Sequence, residues 1–344
     1  MRALALAVAL LLSTVCTAAP PRGLELLFVG DVSFAGRPSP RGRLAEVNPL
    51  RAFAERFAAA DVTVANAEGL LTAAPPAAYG EARLNIGASP DWAGAFRHAH
   101  LSLVGVSNNH SWDGGAAGIL ESREHLAATG VAVMGVGATT DAAEAPWLLE
   151  RDGRCRVAVV PATLKSNRAP RPGAAVAYYA GERGLDRLVA RIRGLTSRGC
   201  FVVVSVHWGR EAVADPPRDV VAAAHRLVDA GAKLVVGHHP HVLQGIERRA
   251  DAAIAYSLGN FVFANRDPIK RRTGVLAIRL TEDSPPRLAE VALLPAVISA
   301  VDFVPRPATQ IERGEIHERM AAGSKRFGTV VREVGDRLIF DFAR

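Results

Sequence analysis

The sequence predicts an α/β fold with a parallel core flanked by helices, followed by an antiparallel sheet. Short apolar runs alternate with helical stretches over the first two thirds of the chain. The runs lie at 24–32, 61–65, 101–106, 131–136, 156–161, 201–206 and 233–236, and the helical stretches around 50–60, 89–98, 116–129, 184–198 and 218–230. Runs this apolar between helices are typical of strands buried on both faces. After residue 242, the runs 254–263, 274–280 and 288–297 follow one another without helices, which predicts the antiparallel sheet.

One domain is expected, because neither an internal repeat nor a Pro/Gly-rich linker divides the sequence. The domain is predicted over 23–305. A C-terminal extension, 306–344, is predicted to pack on it and to end in a hairpin of 329–334 and 338–342. Two long polar loops, 69–88 and 163–181, interrupt the pattern. Because loops of this length in a compact domain are usually functional, we expect them to border a site, with surface insertions as the alternative.

Residues 1–18 are similar to a cleaved signal peptide. Met1-Arg2 is a short basic start, 3–12 is apolar, and the small residues that follow suit cleavage after Ala18. The apolar run is too short to span a bilayer, which takes roughly 20 residues. We therefore expect an exported protein, periplasmic or extracellular. Lipid attachment at Cys16 is the alternative, and it would leave the protein membrane-associated.

The net charge indicates the class of partner. The 344 residues carry a formal charge of +7, and the Lys and Arg residues are scattered instead of forming a long basic run with interleaved aromatics. This distribution argues against nucleic acid as a partner. In an exported protein it favours attraction to anionic envelope polymers. The basic composition of the source genome is the alternative explanation.

Cys155 and Cys200 each stand just before an apolar run. If the two strands are neighbours in a parallel sheet, the cysteines lie side by side, and export permits a disulfide between them. The spacing contains no Cys-x-x-Cys element, which argues against a metal role.

Polar side chains follow five of the predicted strands. They are Asp31, then Glu68, then Asn109 and His110, then His207, and finally His238, His239 and His241. Ligand sites in open parallel sheets lie at the carboxyl ends of the strands, so these side chains are expected to converge on one edge. Carboxylate, amide and imidazole ligands together suit Zn²⁺, Mn²⁺ or Fe²⁺ better than Ca²⁺ or Mg²⁺. A bridging carboxylate would let the site hold two ions roughly 3.5–4 Å apart.

Six segments in order resemble the signature motifs of the CapA family of poly-γ-glutamate capsule biosynthesis proteins. They are Phe28-Val29-Gly30-Asp31 with Gly36-Arg37, Asn66-Ala67-Glu68, Asn108-Asn109-His110 with Asp113-Gly114, His207-Trp208-Gly209, Gly237-His238-His239-Pro240-His241-Val242-Leu243-Gln244 and Tyr256-Ser257-Leu258-Gly259-Asn260-Phe261. The resemblance implies a four-layer metallophosphoesterase-like α/β sandwich, in which two mixed β-sheets lie between helices. It also implies a role in making an exported polymer, in contact with that polymer or its precursor and with membrane-bound capsule synthesis machinery.

The resemblance also implies roles for individual residues. One ion would be held by Asp31 and His241, the other by Asn109, His207 and His239, with Glu68 bridging the two. His110, oriented by Asp113, would be the general acid. His238 would support the ligands, or replace His239 if the assignment shifts by one residue. Departures from the phosphoesterase pattern are Ser33 in place of a histidine and Glu68 in place of an aspartate, and the first weakens one metal position.

Several further residues near the motifs are candidates for the site. Arg37, Arg83 and Arg210 would contact an anionic substrate through their guanidinium groups, or are solvated loop charges. Trp208 is expected to form a pocket wall, with core packing as the alternative. Asn260 is the one site candidate in an otherwise apolar tract.

The leading functional hypothesis is an envelope hydrolase that depends on one or two divalent ions of Mn, Fe or Zn. Its bond would be a phosphoester or a γ-glutamyl amide, cleaved by activated water while His110 assists the leaving group. The alternative is a non-catalytic accessory protein for polymer synthesis or export. A ligase or transferase is disfavoured, because the sequence has no Gly-x-x-x-x-Gly-Lys-Ser/Thr loop for nucleotide phosphates.

Overall fold

The computed structural model describes residues 23–73 and 86–342, the side chain of Phe342 excepted. The predicted signal peptide and Arg83 lie outside these residues. In chain order the first ten strands are β1 (Glu25–Val32), β2 (Val62–Ala67), β3 (Leu70–Leu71), β4 (Gly87–Ala88), β5 (Leu103–Gly105), β6 (Ala132–Met134), β7 (Val136–Gly137), β8 (Trp147–Arg151), β9 (Arg154–Thr163) and β10 (Ala175–Val176). The other ten are β11 (Phe201–His207), β12 (Leu234–His238), β13 (Ile246–Arg249), β14 (Ala252–Ala255), β15 (Asn260–Val262), β16 (Arg272–Leu280), β17 (Leu288–Ile298), β18 (Pro305–Pro307), β19 (Thr329–Val334) and β20 (Arg337–Phe342).

The helices are α1 (Leu44–Val47), α2 (Ala54–Ala58), α3 (Gly94–His98), α4 (Gly115–Ala128), α5 (Thr140–Glu144), α6 (Gly181–Ser197), α7 (Arg218–Asp229) and α8 (Gln310–Lys325), and 3₁₀ turns lie at Arg51–Phe53, Pro90–Ala93 and Ile269–Arg271. Two of the predicted helices, 50–60 and 89–98, therefore each begin as a 3₁₀ turn. Pro90 at the first helical position and the Ser89 side chain, which accepts a hydrogen bond from the Asp91 N–H, fix the start of the second one. Among the described residues, no helix is long and apolar enough to cross a membrane.

Two mixed sheets hold most of the strands. The first has the order β19-β20-β17-β16-β1-β2-β5-β6, with β15 beside β1 and β18 beside β17. Strands β1, β2, β5 and β6 are parallel, and β16, β17, β19 and β20 add antiparallel neighbours. The second sheet has the order β13-β14-β12-β11-β9-β8, parallel at its centre and antiparallel at both edges. The fold expected from the family resemblance, two mixed sheets between helices, is confirmed.

Three apolar clusters define four layers. The middle cluster lies between the sheets and joins side chains such as Phe28 of β1 to Phe201 of β11. A second cluster joins the outer face of the first sheet to helices α2, α3 and α4, and a third joins the outer face of the second sheet to α6 and α7. Fully burying one such side chain stabilises the fold by about 1.5–3 kcal/mol. Because both faces of each central strand are covered, the strands read as continuous apolar runs in the sequence.

The prediction that the antiparallel strands form a second sheet is wrong. β16 and β17 are antiparallel, but they extend the first sheet beside β1. The second sheet is formed instead by later members of the predicted parallel core, β9, β11 and β12. Apolar periodicity locates strands without indicating which of them pair.

The predicted strand 254–263 is divided between the two sheets. β14 ends at Ala255 in the second sheet, and β15 begins at Asn260 in the first. The backbone crosses between them at Gly259, whose φ of 66° lies in the left-handed region that favours glycine. The carbonyl of Gly259 accepts a hydrogen bond of 2.9 Å from the Asp31 N–H, which ties the crossing to the end of β1.

The C-terminal residues pack against both sheets. The predicted terminal hairpin is confirmed as β19 and β20, which turn at Gly335-Asp336. Ile316 and Met320 of α8 enter the cluster between the sheets. Ser324 accepts a hydrogen bond of 2.9 Å from the Ile246 N–H at the edge of the second sheet.

Cys155 and Cys200 form a disulfide, which the sequence had left open as a hypothesis. Their strands β9 and β11 are parallel neighbours. Val157, two residues after Cys155, pairs with Phe201, the residue that follows Cys200. Both cysteines are buried among the side chains of the outer cluster of the second sheet.

Replacing both cysteines by serine should lower the free energy of unfolding by about 2–4 kcal/mol, because a bond across 45 residues restricts the unfolded chain. Denaturant unfolding without reductant measures this change. Reductant should destabilise the wild-type chain and leave the double variant unaffected. Two reactive thiols at Cys155 and Cys200 in the denatured, unreduced wild type would contradict the bond.

Candidate metal centre

The polar residues that follow the strands meet between the two sheets. β1, β2 and β5 bring Asp31, Glu68 and Asn109 from the first sheet, and β11 and β12 bring histidines from the second. The side chains therefore converge as expected, but from two sheet edges instead of one. Gly30 permits this approach, because a Cβ there would lie 2.1 Å from the carbonyl oxygen of Gly259.

Asp31 is the most surrounded carboxylate of the centre. Its Oδ1 accepts a hydrogen bond of 2.8 Å from Asn66 and lies 3.2 Å from Nδ1 of His238. Its Oδ2 accepts from the backbone N–H of His239 at 3.2 Å and lies 3.3 Å from Nδ1 of His241. Although burial opposes ionisation, the contacts with His238 and His241 hold the pKa of Asp31 well below its ordinary value.

Glu68 is fully buried, and no hydrogen-bond donor among the described residues reaches either carboxylate oxygen. Its Oε1 lies 3.9 Å from Nε2 of His207 on one side and 3.6 Å from Nε2 of His241 on the other. Burial raises the pKa of Glu68 well above its ordinary value. A carboxylate that is buried without donors is costly unless a cation accompanies it. A divalent ion between the Glu68 oxygens and these imidazoles satisfies that requirement.

Two groups of donor atoms share Glu68. One consists of Glu68, His207 and His239, and the other of Asp31, Glu68 and His241, with the ligand atoms of each group within 4.8 Å of one another. In the first group, Nε2 of His207 lies 2.7 Å from Oδ1 of Asn109 and 3.1 Å from Nδ1 of His239. The structure therefore brings all six residues that the sequence proposed as ligands to one place.

The imidazole groups differ in protonation. Burial lowers the pKa of His207 well below 6.5, and burial with the nearby His241 lowers the pKa of His239 to about 4. Both rings are neutral at pH 7 and offer a lone pair to an ion. Burial also opposes protonation of His241, but the carboxylates of Glu68 and Asp31 prevail and raise its pKa to about 9.

Asn260 orients the His241 ring. Its Oδ1 lies 2.8 Å from Nδ1 of His241, and its amide donates to the Lys270 carbonyl at 3.1 Å. An amide oxygen next to Nδ1 keeps a proton on that nitrogen, so Nε2 is the nitrogen that can bind an ion on the Glu68 side once its own proton has left.

The backbone of the histidine turn is strained. His239 has a backbone φ of 96° and His241 a backbone φ of 58°, in the region that residues other than glycine rarely adopt. Such conformations cost of order 1–3 kcal/mol each and persist where the surrounding structure fixes them. With the backbone in these conformations, both imidazoles lie at the same centre.

His110 and Asp113 lie beside the centre. Nδ1 of His110 is 2.7 Å from Oδ2 of Asp113, and the same carboxylate oxygen accepts from the Ile86 N–H at 2.8 Å. Asp113 is buried, whereas the His110 side chain is 13% exposed. Asp113 therefore holds a partly exposed imidazole that directly follows the candidate ligand Asn109 in the chain.

Three of the expected substrate contacts do not join the cluster. Trp208 is buried in the outer cluster of the second sheet and donates to the Tyr256 carbonyl at 3.0 Å, so it packs in the core instead of forming a pocket wall. Arg37 donates to the carbonyls of Asp302 and Phe303 at 3.1 and 2.6 Å. Arg210 is exposed on the loop after β11.

Sequence reasoning overlooked several residues of the site. The Asn108 amide donates to the Ala67 carbonyl at 2.8 Å and so joins the ends of β2 and β5. In the second long loop, the Asn167 N–H donates to the Asn109 carbonyl at 3.1 Å, and Nε of Arg168 lies 3.6 Å from Asp113. That loop therefore borders the site. Glu211 was also overlooked, although it stands only four residues after His207.

A known family matches the part of the chain that carries the site. Residues 25–265 match the family described as "Bacterial capsule synthesis protein PGA_cap". A solved structure, that of TT1561 of Thermus thermophilus, is 12% identical, with a TM-score of 0.38, over 74% of this chain and 94% of the other.

Relatives carry related names. The chain is 27% identical over 209 residues to the "PGA biosynthesis protein CapA" of Bacillus subtilis, which covers 60% of this chain but only 54% of that protein. It is 27% identical over 265 residues to a "Probable polyglutamine synthesis accessory protein" of Mycobacterium tuberculosis, a match that covers 73% of this chain and 69% of that protein. A segment of 63 residues is 52% identical to the "Capsule biosynthesis protein CapA" of Bacillus anthracis, and it covers 18% of this chain and 15% of that protein. Since the family match spans residues 25–265 of 344 and the motifs of the metal centre fall within it, the chain belongs to the bacterial capsule synthesis protein (PGA_cap) family.

Proposed function

We propose that this chain is a hydrolase dependent on a divalent metal ion that acts in the synthesis of an anionic envelope polymer of the poly-γ-glutamate type. The polymer class follows from the family and from the names of the relatives. The observation that carries the enzymatic part is the Glu68 carboxylate, buried without a hydrogen-bond donor among the described residues and between two groups of metal-capable atoms.

The residues of the centre fit one or two ions of Mn, Fe or Zn. Asp31, Glu68 and His241 would hold one ion, and Asn109, His207 and His239 would hold the second with Glu68 shared. When bound, such ions lower the pKa of water and polarise the bond to be cleaved. His238 would orient Asp31, and Asn260 would orient His241.

His110 would deliver the proton that the leaving group needs. Asp113 engages Nδ1 of its ring, so Nε2 is the nitrogen available to a substrate. A positioned acid of this kind contributes typically 10²–10⁴-fold to a rate. The bond would be a phosphoester or a γ-glutamyl amide, since either leaves an oxygen or nitrogen that accepts this proton.

The loop that borders the centre supplies positive charge for an anionic substrate. Lys165 is half-buried and close enough to the centre that its charge acts on His239. Arg168 lies on the same loop, beside Asp113. Two cations beside buried carboxylates favour a substrate rich in carboxylate or phosphate groups. Such a polymer lies outside the cytoplasm, which agrees with the export expected from residues 1–18.

A non-catalytic accessory role is the second candidate. Ser33 occupies the position where the phosphoesterase pattern has a histidine, and its Oγ accepts from the Ala35 N–H at 3.4 Å. One relative is itself named an accessory protein. In this role the chain would bind the polymer or its membrane-bound synthesis machinery without cleaving it.

Replacing Glu68 by Gln should remove metal-dependent stabilisation. Wild-type chain with ion at 100 times its dissociation constant gains about 2.7 kcal/mol of stability, and the variant should gain far less. Without metal, the variant should be at least as stable as the wild type, because the amide removes a buried carboxylate. Thermal unfolding with and without Mn²⁺ or Zn²⁺ measures both effects.

The control is Glu247→Gln, which alters another buried carboxylate, one that accepts a hydrogen bond from Tyr256 at 2.6 Å and contacts His225. Its response to metal should match that of the wild type. Equal stabilisation of the wild-type and Glu68→Gln chains by metal would contradict the assignment.

Replacing His110 by Ala should lower turnover by about 10²–10⁴-fold and leave metal content unchanged. Phosphoester and γ-glutamyl substrates, assayed with metal-loaded wild type, identify the bond before the variant is measured. His98→Ala, at an exposed histidine whose ring lies 2.9 Å from the Gly94 carbonyl, is the control. Polymer binding without turnover of any of these substrates by the wild type would favour the accessory role.

Replacing Lys165 by Ala should weaken binding of poly-γ-glutamate about two- to fivefold, the effect of losing one partly exposed ion pair. The loss should shrink at high salt. Lys325→Ala, at an exposed lysine of α8, is the matched control and should leave binding unchanged. Equal affinities of the wild type and Lys165→Ala at low salt would remove the loop from the recognition surface.

A further inference from the structure

A third group of donor atoms lies on the solvent side of the metal centre. Ligand atoms of Glu211, His239 and His241 lie within 4.8 Å of one another. Glu211 is exposed, whereas every member of the two groups that share Glu68 is buried. The third group therefore has its carboxylate at the surface and its imidazoles inside the centre.

The composition of this group suits a divalent transition metal. Two imidazoles and one carboxylate form the protein ligands of many catalytic zinc sites and of non-haem iron sites, and both types leave positions open for other ligands. Glu211, His239 and His241 provide that set without help from the deeper carboxylates.

The loop that carries Glu211 is fixed against the histidine turn. The Ala212 N–H donates to the carbonyl of Pro240, the residue between the two histidines, at 2.9 Å. Ala212 has a φ of 56°, a conformation that persists only where neighbours enforce it.

Two side chains hold the next residues of this loop. The buried Gln244 donates to the Val213 carbonyl at 2.8 Å, and the guanidinium of Arg319 on α8 donates to the Ala214 carbonyl. Several contacts with the rest of the folded chain thus hold the loop that carries Glu211 in place.

The third group shares one imidazole with each of the deeper groups. His239 also belongs to the group with Glu68 and His207, and His241 to the group with Asp31 and Glu68. An ion held by Glu211 is therefore already bound to one ligand of each buried position. Moving it to the group of Glu68, His207 and His239 exchanges Glu211 for Glu68 and His241 for His207, while His239 remains a ligand throughout.

We propose that Glu211, His239 and His241 form an outer position for a divalent transition-metal ion, from which the ion passes to the buried groups. The inference rests on the metal centre proposed above. On the step to the group of Glu68, His207 and His239, Glu211 and His241 would leave the ion, Glu68 and His207 would bind it, and any proton on Glu68 would go to solvent. Glu211 thereby governs the rate at which the centre is loaded.

Uptake of Co²⁺ by the metal-free full chain tests this, followed by the visible absorption of the bound ion after rapid mixing. Glu211→Gln should slow uptake by at least about tenfold while the amount bound at saturation equals that of the wild type, because the buried ligands are intact. Asp215→Asn removes the same charge four residues further along the loop, at an exposed carboxylate outside the three donor groups. It should change the rate by less than about twofold, the effect of a nearby charge alone.

Each outcome bears on a different statement. If the Glu211→Gln chain takes up Co²⁺ at the same rate as the wild type, the outer position is overturned and the buried centre is unaffected. A Glu211→Gln chain that binds no Co²⁺ at saturation would make Glu211 a ligand of the resident centre, and would also overturn it. Failure of the wild type to bind Co²⁺ would overturn the metal centre itself.

Discussion

The Glu68 carboxylate is the constraint on which the site depends. It is buried between imidazoles from the second sheet and next to Asp31 from the first, and the described residues offer it no hydrogen-bond donor. A charge in such a place is tolerated only with a compensating cation. The low pKa of His207 and the pKa of about 4 for His239 fit this requirement, because neutral rings can bind an ion.

The two-sheet fold makes this arrangement possible. The candidate ligands follow the carboxyl ends of strands in two different sheets, so the distance between those sheets sets the size of the candidate centre. The crossing from β14 to β15 fixes that distance, since the Gly259 carbonyl accepts from the Asp31 N–H and Asn260 contacts His241. Helix α8 adds a second brace, because Arg319 donates to the Leu243 carbonyl just after the histidine turn.

Sequence patterns predicted much of this structure, for identifiable reasons. Strands buried on both faces are recognisable as apolar runs, and the candidate ligands follow them directly, so position alone singled out Asp31, Glu68 and His207 as candidates. Pairing was not predictable, because a run such as 254–263 has the same composition whether it forms one strand or crosses between sheets at Gly259. Glu211 was overlooked because it follows no strand, and only the fold brings it to His239 and His241. The burial of Trp208 was not predictable for a similar reason. Trp208 directly follows β11, and only the fold shows that its side chain packs against the outer face of the second sheet.

The metal content of the protein tests the central claim most directly. Mass spectrometry of full chain purified without chelators and without a nickel column should find one to two equivalents of Mn, Fe or Zn, as expected for two groups that share one carboxylate. Protein that contains no metal, and still binds none after incubation with each of these ions, would contradict the account.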